Sequence, residues 1–244
     1  FFHSDRSQTV LEWLIKLEDH GERVPWVEGK LVRLDDRGVD VEVAGIPFIY
    51  QEKPAAQFII RDITERKIAE QRLEHMALYD TLTELPNRTL FFDRMDQLLA
   101  LARRNRYILA ILFMDLDRFK FINDTMGHDA GDLLLKEVAK RLTTSTRKSD
   151  TVARMGGDEF ISICAKIAAP GDAGIIARKI IATLSGPFDL QGRECAISVS
   201  IGISIYPRDG DDGETLLKNA DTAMYRVKER GKGGFEFYSD MATL

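Results

Sequence analysis

Long hydrophobic runs are missing from this chain. No apolar stretch approaches the ~18 residues of a membrane span, so this stretch is expected to make no membrane contact. Cysteine is scarce: Cys164 and Cys195 are the only two in 244 residues. They stand far apart, each in an apolar strand-like run, and show no metal-ligand spacing. Buried thiols in a reducing compartment fit them better than a disulfide. Positive charge is not in excess either. The formal net charge is −5, which gives no support for binding a nucleic-acid polymer, so any anion site has to come from local basic residues. Internal repeats and low-complexity segments are lacking. So are an initiator Met and a signal-peptide pattern: the chain opens Phe1-Phe2-His3 and is expected to be a piece of something longer. A cytoplasmic location is the expectation, with a membrane anchor elsewhere in the parent protein left open.

What is present, 44% hydrophobic and 30% charged residues, suits one large or two small globular domains. Val10, Leu11, Leu14 and Leu17 recur at helical spacing and predict a helix over 8–20. Strand-like runs follow at 29–34, 39–50 and 57–64, with Asp35-Asp36-Arg37-Gly38 turning between the first two. Residues 64–77 read as a charged helix, with Thr64 and Lys67 giving an N-cap without the capping-box acid. Ala69, Leu73 and Met76 make a narrow apolar seam at i, i+4 and i+7. The seam fits either a solvated connector or the contact line of a two-stranded coiled coil.

A second domain opens at 79–88, punctuated by Pro86 and Asn87, before a helix over 89–104. The run 107–117 is almost continuously apolar, as a central strand buried on both faces should be, and it ends in acids. Alternation along a strand puts Asp115 and Asp117 on one face. Carboxylates at a buried strand end are costly unless paired or bound to a cation, which points to a metal site. Helices are expected over 118–126, with Phe119 and Ile122 inward, and over 133–146, with Gly127 to Asp132 as the turn between them. Gly156-Gly157 sits between apolar runs 151–155 and 160–164, a hairpin signal. Asp158 and Glu159 follow at once. A turn without side chains lets phosphates approach the backbone, and adjacent acids can hold a metal that screens them. Alone, however, the same residues describe an ordinary hairpin with solvated acids. The remaining pattern gives a helix over 173–184, strands over 188–190 and 194–206 joined near Gly192, a helix over 214–230 and a last strand over 235–238.

Five motifs stand in one register: Asp80-Thr-Leu-Thr-Glu-Leu-Pro-Asn-Arg88, Asp115-Leu-Asp-Arg-Phe-Lys120, Asn123-Asp-Thr-Met-Gly-His-Asp-Ala-Gly-Asp132, Arg154-Met-Gly-Gly-Asp-Glu-Phe160 and Asp221-Thr-Ala-Met-Tyr225. In order and spacing they resemble the GGDEF family, the diguanylate cyclases. The resemblance implies condensation of two GTP into cyclic di-GMP with release of pyrophosphate. It also implies an α+β fold, a central mostly antiparallel sheet wrapped by helices, similar to nucleotidyl cyclases and polymerase palms. The first 64 residues, ending Phe58-Ile-Ile-Arg-Asp-Ile-Thr64, resemble the C-terminal part of a PAS domain whose front strands are missing. The expected division is therefore 1–64 partial PAS segment, 65–77 helical linker and 78–244 cyclase domain.

The resemblance also assigns roles. Asp115, the carbonyl of Leu116, Asp158 and Glu159 match ligands for Mg2+, with Mn2+ as an alternative, since hard ions favour oxygen donors. Asp158 and Glu159 are the catalytic acids, their division of labour open. Asp117 is either a further ligand or a structural acid held by hydrogen bonds. Asn123 and Asp132 match the guanine readers: an amide with a carboxylate meets guanine's acceptors and donors and leaves adenine's unpaired. Read alone, each is a helix cap. His128 matches a nucleotide contact. Lys120, Lys228 and Lys232 match phosphate positions, with the backbone of Gly156 and Gly157 beside them. The family usually carries Arg where Lys232 stands, and Lys keeps the charge but loses the bidentate fork.

Arg147-Lys-Ser-Asp150, with five residues between Asp150 and Gly156, has the spacing of the family's inhibitory site for cyclic di-GMP, with Arg178 as a second contact. One domain carries one GTP, so the active form is expected to be a homodimer. Two alternatives remain: a non-catalytic GTP-binding regulatory domain of a larger GGDEF–EAL phosphodiesterase, and a cyclic di-GMP receptor using Arg147 and Asp150.

Overall fold

A computed structural model describes residues 23–33 and 35–239; the helix expected over 8–20 lies outside them. The chain divides into two compact units, Phe1–His75 and Met76–Leu244.

In the first unit, β1 (Val24–Val32), β2 (Gly38–Tyr50) and β3 (Lys53–Asp62) form an antiparallel sheet in the order β1-β2-β3. Val41 and Val43 are buried on one face, as their alternation with polar residues requires. The helix α1 (Thr64–Leu78) starts in this unit and runs into the next. Thr64 does not cap it. Thr64 is the first helical residue, and its N–H donates to the Asp62 carboxylate at 2.9 Å, so the strand end does the capping. Arg66 binds Glu42 at 2.6 Å and Lys67 binds Glu28 at 2.8 Å. No residue of α1 is buried.

The second unit is built on a five-stranded sheet. Its strands are β4 (Ile108–Asp117), β5 (Thr151–Gly156), β6 (Glu159–Ile167), β9 (Ser198–Tyr206) and β10 (Phe235–Phe237), in the order β10-β9-β4-β6-β5. Only β10 pairs parallel, with β9. A two-stranded ribbon of β7 (Phe188–Leu190) and β8 (Arg193–Cys195) stands apart. β9 is separate from β8, where one strand over 194–206 was expected; Ala196 and Ile197 interrupt the run and Ile197 turns inward.

Helices cover both faces, which is why β4 reads as an unbroken apolar run. On one face Leu112, Met114 and Leu116 join a core with α3 (Phe119–Met126), α4 (His128–Ser145) and α5 (Pro170–Leu184). On the other, Ile111 and Phe113 meet α2 (Arg88–Asn105) and α6 (Gly213–Glu229). Asn87 caps α2, its Oδ1 accepting from Leu90 N at 3.1 Å.

The seat of α6 depends on Gly202. A Cβ there would lie 1.9 Å from the Ala220 carbonyl and 2.2 Å from the Met224 nitrogen, so helix backbone rests directly on the strand. Neither group can rotate away. Gly202→Ala is expected to cost about 3 kcal/mol or more, read as a lower urea midpoint; an unchanged midpoint would contradict this packing.

Candidate active site at the strand ends

The C-terminal end of β4 gathers the charge. Asp115 and Glu159 are cross-strand partners of β4 and β6, so their side chains leave the sheet on the same face. Like charges directly opposed destabilise a sheet unless a cation lies between them. Lys228, near the end of α6, offsets part of that repulsion from 2.6 Å off Asp115 Oδ2. Burial still pushes the Asp115 carboxyl above the ordinary carboxylate range, and the Asp158 carboxylate adds to it, more than the ammonium of Lys228 takes back. Glu159 is also held high, first by burial and then by Asp115, Asp221 and Asp158. The site has more negative charge than its single lysine neutralises.

Asp117 differs from Asp115 although it is on the same strand face. Ser198 Oγ donates to it at 2.6 Å, Ser200 Oγ at 2.7 Å and Gly233 N at 3.1 Å. Both its oxygens are used by the protein, which is the structural alternative anticipated for this residue.

The hairpin holds Asp158 beside this cluster. Gly156 and Gly157 have φ of 143° and 53°, conformations that favour glycine. Leu116 N donates to the Asp158 carbonyl at 3.3 Å, tying the turn to the end of β4. Arg154 fixes the turn from behind: its Nε and Nη2 donate to the Gly157 carbonyl at 3.0 and 2.7 Å, and its Nη1 to Asp80 Oδ1 at 2.9 Å. Burial alone would raise the Asp80 carboxyl, but the Thr83 hydroxyl and the Arg154 guanidinium outweigh it and hold it below the ordinary range. Sequence reasoning gave Asp80 and Arg154 no role. The Asp80-x-x-Thr83 spacing is a turn signature that announces Asp80's local bonds; its partner 74 positions on is invisible in sequence.

The opposite side of the strand end carries Asn123 and Asp132. Neither is a cap. Gly127 alone breaks the chain, with φ 89°, and α4 begins at His128, so the expected turn through Asp132 is instead helical. Asn123 lies within α3 and Asp132 in the second turn of α4. His128, Lys120 and Asp132 are exposed. Lys232 lies beyond the end of α6 with φ 70°, so it and Lys228 do not share a helical face. With Arg118, Phe121 and Ser198 it lines a groove of about 470 Å³ beside Asp117.

An all-oxygen donor set suits a hard divalent ion. Among the described residues no three acidic, imidazole or thiol side chains are gathered into a ready-made cage.

The family model described as "Diguanylate cyclase, GGDEF domain" matches residues 77–234, well over half of the chain. The chain belongs to the GGDEF family. It is 46% identical over 170 residues to the bifunctional diguanylate cyclase/cyclic di-GMP phosphodiesterase MucR of Pseudomonas aeruginosa, covering 70% of this chain and 25% of MucR. The solved structure of an N-terminally truncated TpbB comprising only its GGDEF domain, also from P. aeruginosa, superposes with a TM-score of 0.65 at 42% identity, covering 68% of this chain and 99% of that one. The coiled coil and GGDEF domain of DgcB from Caulobacter crescentus, in complex with c-di-GMP, gives a TM-score of 0.65 at 26% identity, over 72% and 93% of the two chains. The chain spans about a quarter of the length of the first curated relatives it matches.

Away from the hairpin, this GGDEF domain has a second, basic groove of about 580 Å³. Arg94, Lys136, Lys140, Arg147, Lys148 and Asp150 line it. Asp150 is partly engaged, accepting from Arg147 N at 3.1 Å and Ala165 N at 3.2 Å. Arg178 is not in that groove; its guanidinium lies 5.5 Å over the Phe235 ring. Lys179, the next residue, reaches the Ser145 carbonyl at the end of α4 at 2.7 Å.

Proposed function

We propose that this chain is a diguanylate cyclase that condenses two GTP into cyclic di-GMP. The observation that carries the reading is the opposed pair Asp115 and Glu159 with Asp158 on the adjoining hairpin, an excess of carboxylate that asks for a divalent ion. Asp115, the Leu116 carbonyl, Asp158 and Glu159 would hold Mg2+ or Mn2+. When bound, the ion supplies positive charge that lowers the pKa of an attacking hydroxyl and stabilises charge developing on phosphate. Asn123 and Asp132 bind guanine and His128 lies beside the nucleotide. Lys120, Lys228, Lys232 and the open backbone of Gly156 and Gly157 bind phosphate. In each of two steps a 3′-oxygen bonds to the other nucleotide's α-phosphorus, the bond to the β-phosphate oxygen breaks and pyrophosphate leaves. Asp158 and Glu159 share the duty of receiving the hydroxyl proton.

Since each domain takes one GTP, the active species is a homodimer with two half-sites facing each other. The exposure of the seam residues Ala69, Leu73 at 66% and Met76 at 57% on α1 supports a coiled-coil contact. Leu73→Asp combined with Met76→Asp is expected to shift the protein to monomer in light scattering and lower turnover at least about tenfold. Full activity in the monomer would remove dimerisation from the account. Arg147 and Asp150, in the basic groove with Lys136 and Lys140, form the site for feedback by cyclic di-GMP, and Arg178, which lies outside that groove, takes no part in it. The N-terminal unit is the end of a PAS sensor, a reading supported by its three antiparallel strands closing at Asp62, and the site of action is the cytoplasm.

A second reading is favoured by the partial coverage of a bifunctional relative. In it this domain senses GTP for a phosphodiesterase further along a longer protein. Incubation of the purified chain with GTP and magnesium, followed by anion-exchange chromatography, separates the two. Cyclic di-GMP is the expected product; GTP retained and unchanged would favour the sensor.

A further inference from the structure

Gly131 sits within the first two turns of α4, where alanine would be the better helix former. Its backbone is ordinary helix, so conformation does not explain it. Space does. A Cβ built on Gly131 would lie 1.8 Å from Asn123 Oδ1, 2.9 Å from Asn123 Cγ and 3.2 Å from Phe119 Cζ. The amide of Asn123 occupies the volume of the absent methyl. Its Oδ1 is sealed from solvent and has no hydrogen-bond partner among the described residues. Its Nδ2 is not among the sealed, unpartnered atoms, so the donor end is the one left open.

We infer that Gly131 is a specificity-determining residue: its missing side chain makes a slot that fixes the orientation of the Asn123 amide and thereby selects guanine over adenine. The inference rests on the reading of Asn123 as a guanine contact. An asparagine free to turn can pair with either purine, presenting its carbonyl to the adenine 6-amino group or its amino group to guanine O6. With the carbonyl sunk in the slot, only the amino end faces a base. It can donate to O6 and N7 of guanine, whereas the 6-amino group of adenine meets a second donor. Turning the amide over would press the larger NH2 group into the gap and leave two donors unmet in place of one acceptor. Asp132, the next residue, supplies the acceptor that guanine N1–H and N2–H2 require. Adjacent residues of α4 thus serve the two edges differently, Gly131 by making room and Asp132 by contact.

The test uses the full chain and the α,β-methylene triphosphates of guanosine and adenosine, which bind without turnover. Asn123→Ala is expected to weaken the guanosine analogue at least about tenfold. Gly131→Ala, which evicts the amide, is expected to lower the ratio of guanosine to adenosine affinity by a similar factor. Asn123→Ala with unaltered guanosine affinity would sink the reading of Asn123 itself. Asn123→Ala weakened with Gly131→Ala unaltered in both affinity and ratio would overturn the slot and spare that reading. If Gly131→Ala fails to fold, the variant carrying both substitutions is expected to fold, because the new methyl then enters vacated volume. A double variant that melts no higher than Gly131→Ala would also overturn the inference.

Discussion

Asp158→Ala is expected to lower cyclic di-GMP formation by about 10³-fold or more while leaving GTP binding within a few-fold of the parent. A loss of that order corresponds to about 4 kcal/mol of transition-state stabilisation, the scale on which a misplaced divalent ion acts. The guanine readers and lysines stand on other elements, so affinity survives. The same variant should also be less burdened by charge. Asp115 and Glu159 are held above the ordinary range chiefly by burial, with Asp158 adding to it. A carboxyl whose folded pKa is raised is charged in both states at high pH and penalises the folded one. Stability is therefore recovered as pH falls through the folded pKa toward the unfolded value. Without metal, Glu159→Gln should raise the melting temperature at neutral pH and lose that advantage in mild acid. With metal, protons compete for the same oxygens, so turnover should decline as pH drops into that range. A melting temperature for Glu159→Gln below the parent's at neutral pH would contradict this account of the site's charge.

Arg154→Ala is expected to cost about 3 kcal/mol of stability and at least tenfold in turnover. The side chain of Arg154 is 10% exposed and that of Asp80 22%, so removing the guanidinium strips the Gly157 carbonyl of its two guanidinium donors and leaves the Asp80 carboxylate without its counter-charge, held by Thr83 alone. The turn bearing Asp158 then loses its brace. Asp80→Asn should be milder, because an amide oxygen still accepts from Thr83 N and Arg154. Asp80 has a lowered folded pKa, so its contribution is present above the unfolded carboxylate value and is lost as pH falls through the folded one. The gap in urea midpoint between parent and Arg154→Ala should accordingly narrow below about pH 4. A gap that persists unchanged at pH 3 would place the effect elsewhere.

How much of this was legible depended on whether the signal was local. β4 announced itself because both of its faces are covered, leaving no polar alternation to confuse the pattern. The hairpin was legible because two glycines in succession rarely have another purpose between apolar runs. The start of α4 was misread because His128-Asp-Ala-Gly-Asp132 has the composition of a loop; its glycine packs against Asn123, a neighbour in space. Asn123 and Asp132 were placed at helix boundaries on the same mistake. The expected strand over 194–206 ran through Ala196 and Ile197, where apolar character continues although pairing does not. The brace between Asp80 and Arg154 spans two elements that only the folded sheet brings together. Arg147 and Asp150 were matched by spacing, but the lysines of α4 that share their groove carried no signal beyond that of a solvated face.

The most direct test of the central claim is a ³¹P NMR time course of the full chain with GTP and magnesium. The account predicts two pyrophosphates for each cyclic dinucleotide, whose phosphodiester signal grows in step with the loss of the GTP resonances, and no such signals from Asp158→Ala. GTP resonances that stay unchanged under conditions where binding is saturated, or orthophosphate and GDP in place of pyrophosphate, would contradict it.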